Sequence, residues 1–329
     1  MKVSDRAREL ISRSVVCDLT LPWGPANENK EKALPRWPAA GFTFVSLTLG
    51  MDWISLVDTM KNIGAERARF RAQADRFILV ETADDIVRAK KEGKTAIGFH
   101  FQGTNPLERD LGMVEVYYRL GIRHALLAYN EKNAVADGCH ERTDEGLSRF
   151  GLELIAEMNR VGMLVDCTHT GYRSTMEAME ASSAPCIFSH SVPRALHDHG
   201  RNIRDDQIRA CAKSGGVMGM NGVGFFLNSR NEATSERFVD AIDYVAKLVG
   251  PQHVALGIDN VYYMDSMIAR WRANPGRYTE GYPEPPWHFV QPEQLPEIVQ
   301  VMIDRGYDDS SITGILGGNF LRVAKAVWK

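Results

Sequence analysis

The chain has 329 residues, 44% of them hydrophobic and 25% charged, with a formal net charge of −3. These are the proportions of an ordinary globular protein, and the charge balance gives no reason to expect a nucleic-acid partner. No run of roughly 18 apolar residues is present, so no membrane span is expected.

The opening MKVSDRARELISRS is polar and helical, with a short amphipathic helix over Ser4–Ser14 and no signal-peptide core. Ser14–Leu21 reads as a first strand, stopped by Pro22. Asn27–Pro38 is polar and proline-rich and reads as a loop. Gly41–Leu49 alternates with period two, a second strand. Trp53–Arg76 has the apolar spacing of a long helix, and Thr82 caps a shorter one that ends at Gly93. Strand-like Lys94–Phe101 follows, then a helix over Glu108–Leu120 and a strand over Ile122–Tyr129.

The alternation continues in the second half. Helices over Leu147–Val161, Tyr172–Ala181, Asp205–Lys213 and Ser235–Val249 are interleaved with strands over Met163–Thr168, Pro185–Ser189, Gly215–Asn221 and Val254–Ile258. Eight strands, mostly followed by helices, predict a (β/α)8 TIM-type barrel with extra C-terminal helices over Pro292–Arg305 and Ser310–Trp328. The alternative is an open doubly wound sheet, but no Gly-rich phosphate turn follows the first strand. No domain boundary is visible, so residues 1–329 are read as one barrel domain. Asp265–Gln291 breaks the pattern with its Pro, Tyr and Trp residues and reads as a binding loop, lid or interface segment. The five cysteines have no paired spacing, which fits a reducing cytoplasm.

In parallel α/β proteins, ligands and catalytic groups sit at the C-terminal ends of strands. Two strands end in histidines, His169 in LVDCTH and His190 in CIFSHS, and the pair suggests metal binding. His140, His197, His199 and His288 lie in polar loops and read as solvated.

Several stretches resemble the membrane (renal) dipeptidase family of the amidohydrolase superfamily. They are GLELIAEMNRVGMLVDCTH at Gly151–His169, APCIFSHSVPRALHDHGRNIRD at Ala184–Asp205, GGVMGMN at Gly215–Asn221, HVALGID at His253–Asp259 and GILGGNFLRV at Gly314–Val323. The resemblance implies a barrel with a binuclear zinc site that hydrolyses dipeptides and related amides, commonly as a homodimer. It implies that His169 and His190 hold the second zinc, that Asp259 is the catalytic acid/base and that Arg201 helps hold the substrate.

The other half of the family's site is altered. In the first-strand pattern Asp18 is kept, but Thr20 and Pro22 stand where a histidine and an aspartate bind the first zinc. Gln102 stands in place of the bridging glutamate, and Tyr129 in place of a histidine near the substrate. Proline and threonine are poor zinc ligands, and a neutral amide does not supply the charge that lets two dications sit together. The expectation is therefore one zinc ion or none, on His169 and His190 with Gln102 as a weak oxygen donor, and Tyr129 and Arg201 facing a dipeptide or small amide. Accessory ligands are Asp18 and His100, since His100 shares a strand face with Gln102. The competing readings are a barrel that hydrolyses another small molecule and an inactive homologue that only binds a ligand.

Overall fold

A computed structural model describes residues 2–23, 29–273 and 281–329. Among the described residues nine strands run parallel: β1 Cys17–Leu21, β2 Phe44–Met51, β3 Phe77–Leu79, β4 Thr95–Gln102, β5 Ile122–Leu126, β6 Leu164–Asp166, β7 Cys186–Ser191, β8 Met218–Met220 and β9 Val254–Leu256. Eight of them follow one another in the order β1-β2-β4-β5-β6-β7-β8-β9, with β3 paired to β4 off this path. With the surrounding helices they form a nearly closed α/β barrel of the TIM type, as the alternation predicts.

The barrel's seam lies between its first and last strands, and a buried carboxylate bridges it. Asp18 Oδ1 accepts the Ile258 N–H just past β9 at 3.0 Å and the Thr20 N–H at 3.2 Å, while Oδ2 accepts Trp37 Nε1–H at 2.7 Å. Burial pushes the Asp18 carboxyl up to about 7 against the pull of these N–H donors.

The short strand β3 is not anticipated by the sequence pattern. Its place follows from the length of β4: Ile78 and Leu79 pair with Ala96 and Ile97, below the stretch Phe99–Gln102 that pairs with β5. The helix expected over Trp53–Arg76 spans Leu56–Arg71, its N-terminus fixed by the Ser55 hydroxyl accepting the Asp58 N–H. In the stretch expected as a loop, Asn27 and Glu28 lie outside the described residues. The remainder forms two short helices, Lys30–Ala33 and Arg36–Ala40. They are held by a buried ion pair, Lys30 Nζ to Glu66 Oε1 at 2.6 Å, which reaches the helix over Leu56–Arg71.

The outer helices bury one stripe each. Over Arg149–Val161 the buried residues are Gly151, Leu154, Ile155, Met158 and Val161, the spacing of one helical face. Ser148 caps this helix and Gly162, at φ +96°, ends it. Each large apolar side chain on such a stripe contributes about 1.5–3 kcal/mol through burial. Near the C-terminus the helix Asn319–Val327 follows a π-turn over Gly314–Gly318. A Cβ at Gly317 would lie 2.5 Å from the Val15 carbonyl oxygen, so only glycine lets this turn pack on the approach to β1. Among the described residues, no helix is long and apolar enough to cross a membrane.

Candidate active site

The C-terminal ends of the strands surround a cavity of about 270 Å³. Pro22 follows β1, Gln102 ends β4, Tyr129 follows β5, His169 follows β6, Val223 follows β8 and Asp259 follows β9, and all six line it. Described residues of the segment expected to be a binding loop, lid or interface line this space. The segment begins as a helix over Met264–Ala273, and Met267, Arg270, Tyr282 and Phe289 line the cavity. Residues 274–280 of that segment lie outside the described residues.

His169 and His190 are both buried, and their Nε2 atoms face each other at 3.2 Å. His169 adopts φ +63°, a left-handed backbone rare for a residue with a side chain, at the point where β6 turns into its loop. Its Nδ1 lies 2.6 Å from Asn130 Oδ1; the amide oxygen only accepts, so the ring proton sits on Nδ1 and Nε2 keeps its lone pair. His190 Nδ1 has two hydroxyl neighbours, Ser189 Oγ at 2.7 Å and Thr20 Oγ1 at 2.9 Å. A hydroxyl donates or accepts, which leaves two tautomers open. In one, His190 Nε2–H donates to His169. In the other, two bare Nε2 lone pairs converge on one point. In that second tautomer His169 and His190 are the residues that would hold a metal ion, since neutral imidazole nitrogen is a zinc ligand. Burial, reinforced by the Arg201 charge, holds both imidazoles well below the usual histidine range, so both are neutral, the ligand form.

The remaining expected residues divide into those that reach this place and those engaged elsewhere. Tyr129 stacks on His169 with ring centroids 4.0 Å apart. Gln102 is buried and donates Nε2–H to Thr48 Oγ1 at 3.0 Å. Asp259, at φ +53°, accepts Asn221 Nδ2–H at 3.0 Å; burial pushes its carboxyl up to about 7, with the Arg201 charge acting in the opposite sense. Thr20 is spent on His190, and Asp18 on the seam.

Arg201, expected to help hold the substrate, lies beside the end of β7. Only 2% exposed, it donates Nη2–H to the His190 carbonyl at 2.6 Å and Nη1–H to Ser191 Oγ at 3.2 Å. It lines a separate cavity of about 130 Å³ that shares His169 as a wall. The guanidinium thus braces the end of β7.

His100 belongs to a polar ladder inside the barrel, below the cavity floor. Its Nδ1 meets Ser46 Oγ at 2.9 Å and its Nε2 meets Thr48 Oγ1 at 2.9 Å. Ser46 Oγ also meets His124 Nε2 at 3.1 Å, and His124 Nδ1 meets Asp166 Oδ2 at 3.0 Å. The His100 and His124 rings stack at 4.5 Å. One consistent set of protons runs from Gln102 through Thr48, His100, Ser46 and His124 to Asp166, each group donating to the next. Burial alone would raise Asp166, but its bonds to His124 and Ser189 hold it well below the usual carboxylate range. An accessory metal site built on Asp18 and His100 is therefore not assembled. Among the described residues, no three of His, Cys, Asp and Glu gather in a cluster able to hold an ion.

Sequence reasoning missed Asn130, Ser46, His124 and Asp166. The one signal available was a histidine inside an apolar strand, His124 in IRHAL. It also placed His199 in solvent, whereas His199 is 3% exposed, accepts the Arg201 N–H at 3.0 Å and packs on Phe226 at 4.9 Å between centroids.

A barrel of parallel strands with imidazoles, a carboxyl of raised pKa and a roofed cavity at the strand ends has the architecture of the amidohydrolase class. Within it, residues 43–265 match the model of the membrane dipeptidase family, peptidase family M19, and the chain belongs to that family. It is 32% identical over 276 residues to an uncharacterized dipeptidase of Schizosaccharomyces pombe, covering 82% of this chain and 62% of that protein. It is 28% identical over 276 residues to dipeptidase tcpJ of Claviceps purpurea, covering 83% and 60%. The chain thus spans less than two thirds of the length of these curated relatives. A crystal structure of an amidohydrolase from Pseudomonas aeruginosa superposes with a TM-score of 0.89 at 30% identity, covering 98% of this chain and 99% of that one.

Proposed function

We propose that the protein hydrolyses the amide bond of a dipeptide or similarly small amide, using one zinc ion held by His169 and His190. The observation that carries this reading is the pair of neutral, buried imidazoles facing each other across 3.2 Å beside a cavity that Asp259 also lines. Their spacing fits a single ion. A binuclear centre does not fit, because Thr20 is engaged with His190 Nδ1, Pro22 has no side-chain donor and Gln102 carries no charge. A zinc ion bound here supplies a Lewis acid for the scissile carbonyl and lowers the pKa of water.

The chain's own groups supply the rest. Asp259, with a pKa of about 7, is matched to taking a proton from the attacking water and returning it to the leaving nitrogen. Gln102 turns its amide nitrogen toward Thr48, which leaves Oε1 as the free acceptor of that side chain. Asn130 fixes the His169 tautomer, and Arg201 ties down the His190 backbone. Tyr129 packs on His169 and excludes water from one side of it. The roof formed by Met267 and Tyr282 encloses a compact substrate.

The setting proposed with this function is a homodimer in a reducing cytoplasm, with no nucleic-acid partner; all five cysteines are unpaired, in keeping with that compartment. The test is a panel of dipeptides and small N-acyl amino acids assayed before and after chelation. Turnover that is lost with chelator, restored by zinc and absent in His190→Ala supports the reading. Turnover of other small amides but of no dipeptide favours a non-peptidase hydrolase. Ligand binding without turnover favours an inactive homologue.

A further inference from the structure

The polar ladder beneath the cavity fixes which end of the Gln102 amide the cavity sees. At its far end stands a charge. Burial alone would raise Asp166, but its bonds to His124 and Ser189 hold it well below the usual carboxylate range, so Oδ2 only accepts. His124 therefore donates through Nδ1. With one proton on each ring, His124 Nε2 takes the Ser46 hydroxyl proton at 3.1 Å, and Ser46 Oγ is left to accept His100 Nδ1–H at 2.9 Å. His100 Nε2 is then bare and takes the Thr48 hydroxyl proton at 2.9 Å. Both hydroxyl protons are spent, so the group that meets Thr48 Oγ1 at 3.0 Å must itself be a donor. It is the Gln102 NH₂, whose nitrogen also lies 3.5 Å from the bare His100 Nε2.

Gln102 is 3% exposed and lines the 270 Å³ cavity. Among the described residues its Oε1 makes no hydrogen bond. With the nitrogen held by the ladder, the oxygen is the end left to the cavity, a buried acceptor without a protein partner. Where the family resemblance has a metal-bridging carboxylate, this chain presents a neutral acceptor.

The strand order says which part of a substrate reaches it. The histidine pair stands on β6 and β7. Counting away from β7, Asp259 follows the second strand, β9; counting the other way from β6, Gln102 ends the second strand, β4. On the proposed mechanism the attacked carbonyl sits at the histidines and the leaving nitrogen turns to Asp259. The acyl residue then extends past Tyr129 toward Gln102, and its α-nitrogen is the N–H donor of that half.

We propose that Gln102 Oε1 receives the free amino group of the residue whose carbonyl is attacked, and that the ladder running to Asp166 sets the amide in the sense this needs. Gln102 is then a specificity-determining residue that favours dipeptides over N-acyl amino acids lacking the amine, and Ser46 is a positioning residue. The proposal rests on the reading of the cavity as the substrate site of a hydrolase.

The experiment compares alanylalanine with N-propionylalanine, the same molecule without its amine. Binding is measured by calorimetry on chelator-treated protein and hydrolysis on zinc-loaded protein, for the wild type, Gln102→Met and Ser46→Ala. Ser46 is not among the residues lining the cavity. The wild type is expected to prefer the free amine by roughly 10-fold or more in Kd and KM, the scale of a hydrogen bond to a charged group. Gln102→Met is expected to lose this preference by weakening the dipeptide alone, with zinc content unchanged. Ser46→Ala, which breaks the ladder between its two rings, is expected to narrow the preference in Kd and KM. Equal binding of the two molecules by the wild type, or a Gln102→Met variant that weakens both alike or sheds its zinc, overturns the assignment of Gln102. A full preference retained by folded Ser46→Ala overturns the role of the ladder. Amine-selective binding through Gln102 without hydrolysis leaves this inference standing and removes the hydrolase reading. Hydrolysis of both molecules with equal KM does the reverse.

Discussion

His169 and Asn130 form a 2.6 Å contact between ring Nδ1 and amide oxygen, and both residues adopt left-handed backbone at φ +63° and +62°. The amide thereby decides which imidazole nitrogen faces His190. Removing such an orienting partner typically costs 10–100-fold in metal affinity or activity. Asn130→Ala is expected to fall in that range for kcat/KM and zinc affinity, while Asn130→Asp, which keeps the acceptor, retains most of both. Steady-state kinetics with a zinc titration check this.

On the proposed mechanism, Asp259 sets the pH profile. Its carboxyl titrates near 7, pushed up by burial, and as a general base it acts when deprotonated. The kcat/KM is therefore expected to rise with pH through an apparent pKa of about 7 and to level above it, at pH 6 reaching roughly a tenth of its plateau. Asp259→Asn is expected to lose at least ~10²-fold in kcat, the scale of a positioned proton-transfer group. A pH–rate profile that stays flat between 5 and 8 contradicts the assignment.

Asp166 anchors the ladder below the cavity. Its pKa is depressed in the folded protein, so its contribution to stability is present above the unfolded value of ~3.9 and fades as pH falls through the folded one. Asp166→Asn puts an NH₂ group where a carboxylate oxygen accepts from His124, Thr168 N or Ser189 N. A cost of about 2–3 kcal/mol at pH 7 is expected from an unsatisfied buried donor. Urea unfolding is expected to show the gap between wild type and variant shrinking toward pH 3.

Asp18 closes the barrel. Asp18→Asn leaves one of the N–H donors from Thr20, Ile258 and Trp37 facing another donor. A loss of about 1–3 kcal/mol is expected, with zinc binding by the folded variant retained, since Asp18 is held at the seam. Thermal unfolding and metal titration separate the two effects.

Much of the barrel was legible because its strands are apolar and regularly spaced between helices with clear stops, such as Ser148 and Gly162 around Arg149–Val161. Strand β3 was hidden because three residues, Phe77–Leu79, are too few for periodicity to register. At the site, His169 and His190 stood out as strand-end histidines, and the residues at 20, 22 and 102 drew notice by what they replaced. The ladder of Ser46, His124 and Asp166 did not, because strand residues declare an inward face only once the neighbours on both sides are known. The cavity that Arg201 lines was hidden for a related reason. Which cavity a long side chain faces depends on contacts made in the fold, here with Phe226 of a loop distant in sequence.

On the proposed reading, the two facing histidines His169 and His190 make a site for one metal ion. Elemental analysis of protein purified with zinc, for the wild type and for His169→Ala and His190→Ala, tests it directly. One zinc per chain is expected in the wild type, and its loss in both variants. Two zinc ions per chain, none, or one that survives both substitutions would contradict it.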